Sequence, residues 1–162
     1  MLLGEIANSR GFKIAALNIG SLPAHMNDIR LYMNSQTIDI LALNERDKQD
    51  KSISNCQMYI SDYIFERKDR NRNCEGVARF IRNTINCELM HELNDDQLEW
   101  FCVKVSKLKL KLKYFIVGTS YKHSTSTAGI MKSFKSIIDK LEIYDHVTNV
   151  LGDFNCNAGG TS

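Results

Sequence analysis

The sequence predicts an α/β fold, with mixed strands and helices on the outside, and three observations carry that prediction. A strand, a helix and a second strand follow one another within residues 12–43, which is an α/β opening. A middle stretch of successive strand-like runs with short connections reads as antiparallel. A second helical stripe then precedes a final strand that ends in Gly152-Asp153-Phe154-Asn155.

Taken in order, Phe12–Asn18 (FKIAALN) is a short, mostly apolar strand that ends in the turn-like cluster Asn18-Ile19-Gly20-Ser21. Pro23 opens a helix, because a proline in the first turn gives up an N–H that has no helical partner anyway. Met26, Ile29, Tyr32 and Met33 recur at helical spacing behind it. Ile38–Leu43 (IDILAL) is a compact apolar run, hence a buried strand, and it stops at Asn44-Glu45.

Gln57–Phe65 (QMYISDYIF) reads as a strand, and the charged stretch Glu66–Asn73 (ERKDRNRN) after it as an exposed loop. Gly76–Ile81, Glu99–Val105 and Tyr114–Tyr121 are further strands. Lys107–Lys113 (KLKLKLK) alternates leucine and lysine strictly, as a strand with one apolar and one cationic face does. Ile130, Met131, Phe134, Ile137, Ile138 and Leu141 share one helical stripe that Ser126 or Thr127 could cap. His146–Leu151 is the last strand.

The chain of 162 residues suits one domain and can bury a core. Its net charge of +2 is compatible with a nucleic-acid substrate without arguing for one. The five cysteines, at 56, 74, 87, 102 and 156, form no CxxC pair. That excludes a zinc-ribbon spacing and points to free thiols in a reducing, intracellular compartment, nuclear or cytoplasmic. No run of eighteen apolar residues is present, so no transmembrane helix is expected.

Polar residues stand repeatedly at strand ends: Asn18, Glu45, Tyr121, Asp153 and Asn155. Sites in α/β sheets gather there, because loops can be shaped without disturbing the core. A carboxylate after a buried strand, as at Glu45, suits a hard cation such as Mg²⁺, which takes oxygen ligands and keeps several waters. Asp153 and Asn155, two apart after Gly152, can face one pocket, the first to orient or deprotonate a water and the second to hold a phosphate. Each also has a structural reading, as a loop glutamate and a Gly-Asp turn.

Five pieces in order give the sequence its resemblance to a family. They are Leu17-Asn18-Ile19-Gly20-Ser21-Leu22, Asp39–Glu45 (DILALNE), Phe65–Arg70 (FERKDR) followed by Gly76-Val77-Ala78, Val117–Tyr121 (VGTSY) and Gly152-Asp153-Phe154-Asn155. Together they resemble the endonuclease/exonuclease/phosphatase superfamily, most closely the endonuclease domain of non-LTR (LINE-type) retrotransposons, over residues 12–157. The resemblance implies a two-sheet, four-layer α/β sandwich that hydrolyses phosphodiesters with Mg²⁺, Mn²⁺ being an alternative, and needs no small-molecule cofactor. By motif position Glu45 would hold the metal, with Asn18 arranging the site. Tyr121 would lie beside the scissile phosphate, Asp153 would activate water and Asn155 would fix the phosphate. The substrate would be DNA, held by its phosphate backbone through Arg67, Lys68, Arg70 and Lys122, and a downstream reverse-transcriptase region would be a partner.

The sequence also departs from the family. Residues 1–162 read as a single partial domain, because the family's later strands and late Asp-His motif have no counterpart, and His25, His91, His123 and His146 do not fill that motif. Such a sandwich is incomplete, and open strand edges and marginal stability are expected of it. Arg46-Asp47 and Lys122-His123 replace the family's Thr-Trp and Arg-Pro, and Lys122 lacks the planar fork that grips phosphate twice. The departures favour a weakly active or inactive remnant as the alternative to a DNA-nicking nuclease. Hydrolysis of a phospholipid or small phosphoester is a third reading.

Overall fold

In this computed structural model residues 11–45, 55–69, 76–93, 99–106, 114–121, 128–143 and 148–153 are described. Hydrophobic periodicity builds the first unit. Strand β1 (Ile14–Ile19) runs into helix α1 (Leu22–Ser35) and returns as β2 (Ile40–Glu45). Pro23 lies in the first turn of α1, and Leu22, Met26, Ile29 and Met33, spaced by three and four, are its buried face. Asn44 and Glu45 belong to β2 itself, so the strand runs two residues beyond its apolar segment.

The expected strand at 57–65 and loop at 66–73 are both corrected. Asn55–Met58 forms a 3-10 turn, Asp62 takes a positive φ of 67° in a tight turn, and β3 is Tyr63–Asp69. The charged residues Glu66–Asp69 are therefore strand, not loop. Position 62 breaks the apolar run, since a left-handed residue ends extended backbone. Strand formation at 66–69 is compensated by partners: Glu66 binds a buried arginine and Lys68 a backbone carbonyl. The stretch from 70 to 73 lies outside the described residues.

The remaining strands are β4 (Gly76–Arg82), β5 (Asn86–Leu89), β6 (Glu99–Ser106), β7 (Tyr114–Tyr121) and β8 (Thr148–Asp153), with α2 (Ala128–Glu142) between the last two. β5 was not foreseen; its mostly exposed residues carry no apolar signal, and it forms by pairing with β6. The leucine–lysine segment 107–113 and the capping residues 126 and 127 lie outside the described residues.

Among the described residues eight strands make two four-stranded sheets, ordered β1-β2-β4-β3 and β5-β6-β7-β8. In each, one parallel pair sits beside antiparallel neighbours: β1 with β2, and β7 with β8. Three cores separate four layers. Leu41, Leu43, Ala78 and Phe80 pack the outer face of the first sheet against Leu22, Met26, Ile29 and Met33 of α1. Trp100, Cys102 and Ile116 pack the second sheet against Ile137 and Leu141 of α2. Ile40, Ile81, Val103, Val105 and Val117 fill the space between the sheets. The order α1, sheet, sheet, α2 is the four-layer sandwich that the sequence predicts.

Candidate active site at one end of the sandwich

Two contacts fix how the sheets face each other. The rings of Phe12, just before β1, and Phe115, at the start of β7, meet edge to face with centroids 4.9 Å apart. At the opposite end the Lys68 ammonium donates to the Trp100 carbonyl at 3.0 Å. Lys68 lies level with Val77, Asn44 and Asn18 across the first sheet, and Trp100 with Ser120 and Gly152 across the second. That hydrogen bond thus sets the two rows side by side. Both parallel pairs end at the same end of the sandwich.

One residue beyond those rows stand the strand ends. Ile19 and Glu45 are register partners, as are Glu45 and Gly76, and Tyr121 and Asp153. So the backbone brings four of the five strand-end candidates, Asn18, Glu45, Tyr121 and Asp153, to one end. Asn18 is exposed on β1, as a residue offered to a ligand must be. Asn155, Arg70 and Lys122 lie outside the described residues. Arg67 and Lys68 are half-buried on β3 rather than carried on a loop, and Lys68 ties the two sheets together. His25 belongs to α1, where its ring lies 3.5 Å from Asp28.

Strand alternation decides which side chains look into the space between the sheets. Ile40 belongs to the inter-sheet core while Leu41 and Leu43 face α1, so Asn44 faces the second sheet. Val117 likewise puts Thr119 facing the first. Asn44 is 3% and Thr119 0% exposed, and the Asn44 Oδ1 and the Thr119 hydroxyl have no hydrogen-bond partner among the described residues. On β4, Arg79 is fully buried, and its Nε donates to Glu66 Oε2 at 2.7 Å, with Nη2 2.7 Å from the same oxygen. Burial lowers the Arg79 pKa to about 10 against the opposing pull of Glu66, so the guanidinium stays charged at neutral pH.

Sequence reasoning missed Asn44, Thr119 and Arg79. For Arg79 a signal existed, a lone cation inside the apolar run GVARFI. For Asn44 and Thr119 it did not, since Asn occurs freely at strand ends and Thr within strands.

No family model matches the sequence, and no curated protein matches it either. Solved structures do. An AP endonuclease from Leishmania major is 14% identical, with a TM-score of 0.68 over 88% of this chain and 54% of its own. The endonuclease domain of TRAS1, a telomere-specific non-LTR retrotransposon, is 9% identical, with a TM-score of 0.63 over 91% of this chain and 61% of its own. The fold is that of the endonuclease/exonuclease/phosphatase structures. An endonuclease/exonuclease/phosphatase from Bacteroides vulgatus, 14% identical, has a TM-score of 0.59 over 89% of this chain and 65% of its own. The chain thus spans little more than half the length of the endonuclease/exonuclease/phosphatase structures it resembles.

Phosphoester hydrolysis in the endonuclease/exonuclease/phosphatase fold generally relies on a divalent metal. Among the described residues no three His, Cys, Asp or Glu cluster as a metal cage. Mg²⁺ does not require one, being held by one or two carboxylates with waters and phosphate oxygens completing the shell. By residue type Glu45, at the end of β2, can supply one such carboxylate. No helix among the described residues is long and apolar enough to cross a membrane.

Proposed function

We propose that this chain carries a metal-dependent phosphodiesterase site that nicks DNA. The observation that supports it most is the common end of the two parallel pairs, which brings Asn18, Glu45, Tyr121 and Asp153 together from two sheets. Four polar strand ends converging from separate sheets serve a ligand better than they serve folding, since each could have ended in an ordinary turn.

In this reading Glu45 supplies the carboxylate for Mg²⁺ or Mn²⁺. The ion, when bound, offsets charge developing on the phosphate oxygens. Asp153 accepts the proton of the attacking water, and Asn155 and Tyr121 donate hydrogen bonds to the phosphate. Asn18, exposed at the end of β1, orients the glutamate. Arg67, Arg70 and Lys122 attract the DNA backbone without reading sequence. Lys68 contributes charge at the same edge while bonded to the Trp100 carbonyl. Target-site nicking for a reverse-transcriptase region encoded downstream is the biological setting that the likeness to the TRAS1 domain supports.

The test is conversion of supercoiled plasmid to open circles with Mg²⁺, comparing the parent with Glu45→Ala and Asp153→Ala. Nicking by the parent, lowered at least about a hundredfold in both variants, is expected. A silent parent, or three proteins nicking equally, refutes the reading and leaves a nuclease-derived remnant without catalysis of its own.

A further inference from the structure

On the outer side of the first sheet, the first half of α1 and the 3-10 turn Asn55–Met58 bound a cavity of about 480 Å³. Its lining is Pro23, Met26, Asn27, Arg30, Gln57 and Met58, and its volume is that of a small-molecule pocket. Met26 and Met58 are buried in the core beneath α1 and give it an apolar floor. Asn27 and Gln57 are exposed and bring two amides to its rim. Arg30 is half-buried and fixed in place. Its Nε donates to the Tyr59 carbonyl at 3.2 Å, Nη2 to the Gln57 carbonyl at 2.6 Å and Nη1 to Asn27 Oδ1 at 3.1 Å. A guanidinium has five N–H groups, so these three bonds leave two, one on each Nη. All three acceptors are neutral, and no carboxylate pairs with Arg30 among the described residues. Stapling the 3-10 turn to α1 explains the three bonds. It explains neither the cavity beside them nor a cation left without a counter-ion.

We propose that this cavity binds a nucleoside monophosphate, with the phosphate on Arg30 and the base over Met26 and Met58. Two remaining N–H groups on one planar cation match two phosphate oxygens. The guanidinium is already held by three bonds, so little of its freedom is lost on binding. Methionine sulfur packs favourably against aromatic rings, which suits the floor to a base. An amide carries a donor and an acceptor side by side, as a base edge does, so Gln57 and the Asn27 amino group can meet that edge. A hydrocarbon tail would leave the cation and the rim unused, and a bare phosphate would leave the floor to water. The site is separate from the strand-end residues and does not rest on the metal-dependent reaction proposed above.

The experiment titrates adenosine 5′-monophosphate into the 162-residue chain by calorimetry, in EDTA so that no divalent ion takes part. It compares the parent with Arg30→Gln, Asn27→Asp and Glu45→Ala, with thermal melting of each. Asn27→Asp keeps the oxygen that Arg30 bonds and sets a negative charge beside the phosphate position. The parent should bind with a dissociation constant below about 1 mM, and adenosine and inorganic phosphate at least about tenfold more weakly. Arg30→Gln and Asn27→Asp should each lose about tenfold or more, the Asn27→Asp melting temperature staying level or rising. Glu45→Ala should bind as the parent does. Displacement by a short deoxyadenosine oligonucleotide at a lower concentration than the mononucleotide supports the site and makes single-stranded nucleic acid its ligand. A parent without saturable binding overturns the inference, as does equal binding by the parent, Arg30→Gln and Asn27→Asp. Loss in Glu45→Ala with Arg30→Gln unaffected puts the nucleotide at the strand ends and overturns it as well. None of these failures touches the plasmid-nicking result, which tests the metal-dependent reaction separately.

Discussion

Gly118→Ala is the substitution through which the packing of the second sheet can be tested. Gly118 pairs with Cys102 at the centre of that sheet, with β6 on one side and β8 on the other. Trp100, two residues before Cys102, lays its indole over the glycine. A Cβ at position 118 would stand 2.5 Å from Trp100 Cη2 and 2.7 Å from Cζ2. Carbon atoms pack at about 3.5–4.0 Å, so the overlap is about 1 Å on two ring atoms. The ring cannot swing away cheaply, being fully buried and edge-on to Phe134 at 6.1 Å. Its own backbone carbonyl is held by Lys68. Nor can β7 retreat, with a strand bonded on each side. Overpacking of this kind costs about 1–3 kcal/mol, and two blocked escape routes place it near the upper end. At about 2–4 °C per kcal/mol for a chain of this size, the melting temperature should fall by about 6–12 °C. Trp100 is the only tryptophan, so its fluorescence during urea unfolding reports on this site directly. A Gly118→Ala variant within about 0.5 kcal/mol of the parent would refute the reasoning. Trp100→Phe in the Gly118→Ala background should recover part of the loss, since the two residues share one contact and their effects cannot add.

Two other perturbations follow from buried groups. Glu66→Ala leaves the Arg79 guanidinium buried with its carboxylate partner gone, and chemical denaturation should show a loss of about 3 kcal/mol, whereas Glu66→Leu with Arg79→Met should restore most of it. Burial raises the Cys102 thiol to about 12 and pushes Cys87 up as well, so peptide mapping after iodoacetamide at pH 8 should leave Cys102 unlabelled and Cys87 slow until denaturant is added. The folded chain holds the Cys102 proton above the ordinary thiol value of 9.0, so that contribution to stability is complete below about pH 9 and is lost as pH rises towards 12. The stability gap between the parent and Cys102→Ala should therefore narrow above pH 9, by at most about 1.4 kcal/mol per pH unit; a gap constant from pH 8 to 11 would refute the burial of the thiol.

The sequence by itself determined the α/β class, both helices and six of the eight described strands (β1, β2, β4, β6, β7 and β8) to within two residues of their ends. Those elements bury an apolar face, and the period of 2 or 3.6 that puts residues on one face is written along the chain. The order of polar strand ends was legible too, because Asn18, Glu45, Tyr121 and Asp153 each close an apolar run. Elements formed by pairing were not legible. β5 exists because β6 offers it an edge, and the charged half of β3 exists because Arg79 and the Trp100 carbonyl wait for Glu66 and Lys68 from elsewhere in the chain. Only the tertiary structure decided that both parallel pairs end on the same side. That relation depends on Phe12 meeting Phe115 and Lys68 reaching Trp100, contacts between residues far apart in sequence. Asn44 and Thr119 were missed for the same reason, since a buried polar group without a partner is a property of what surrounds it and not of the residue.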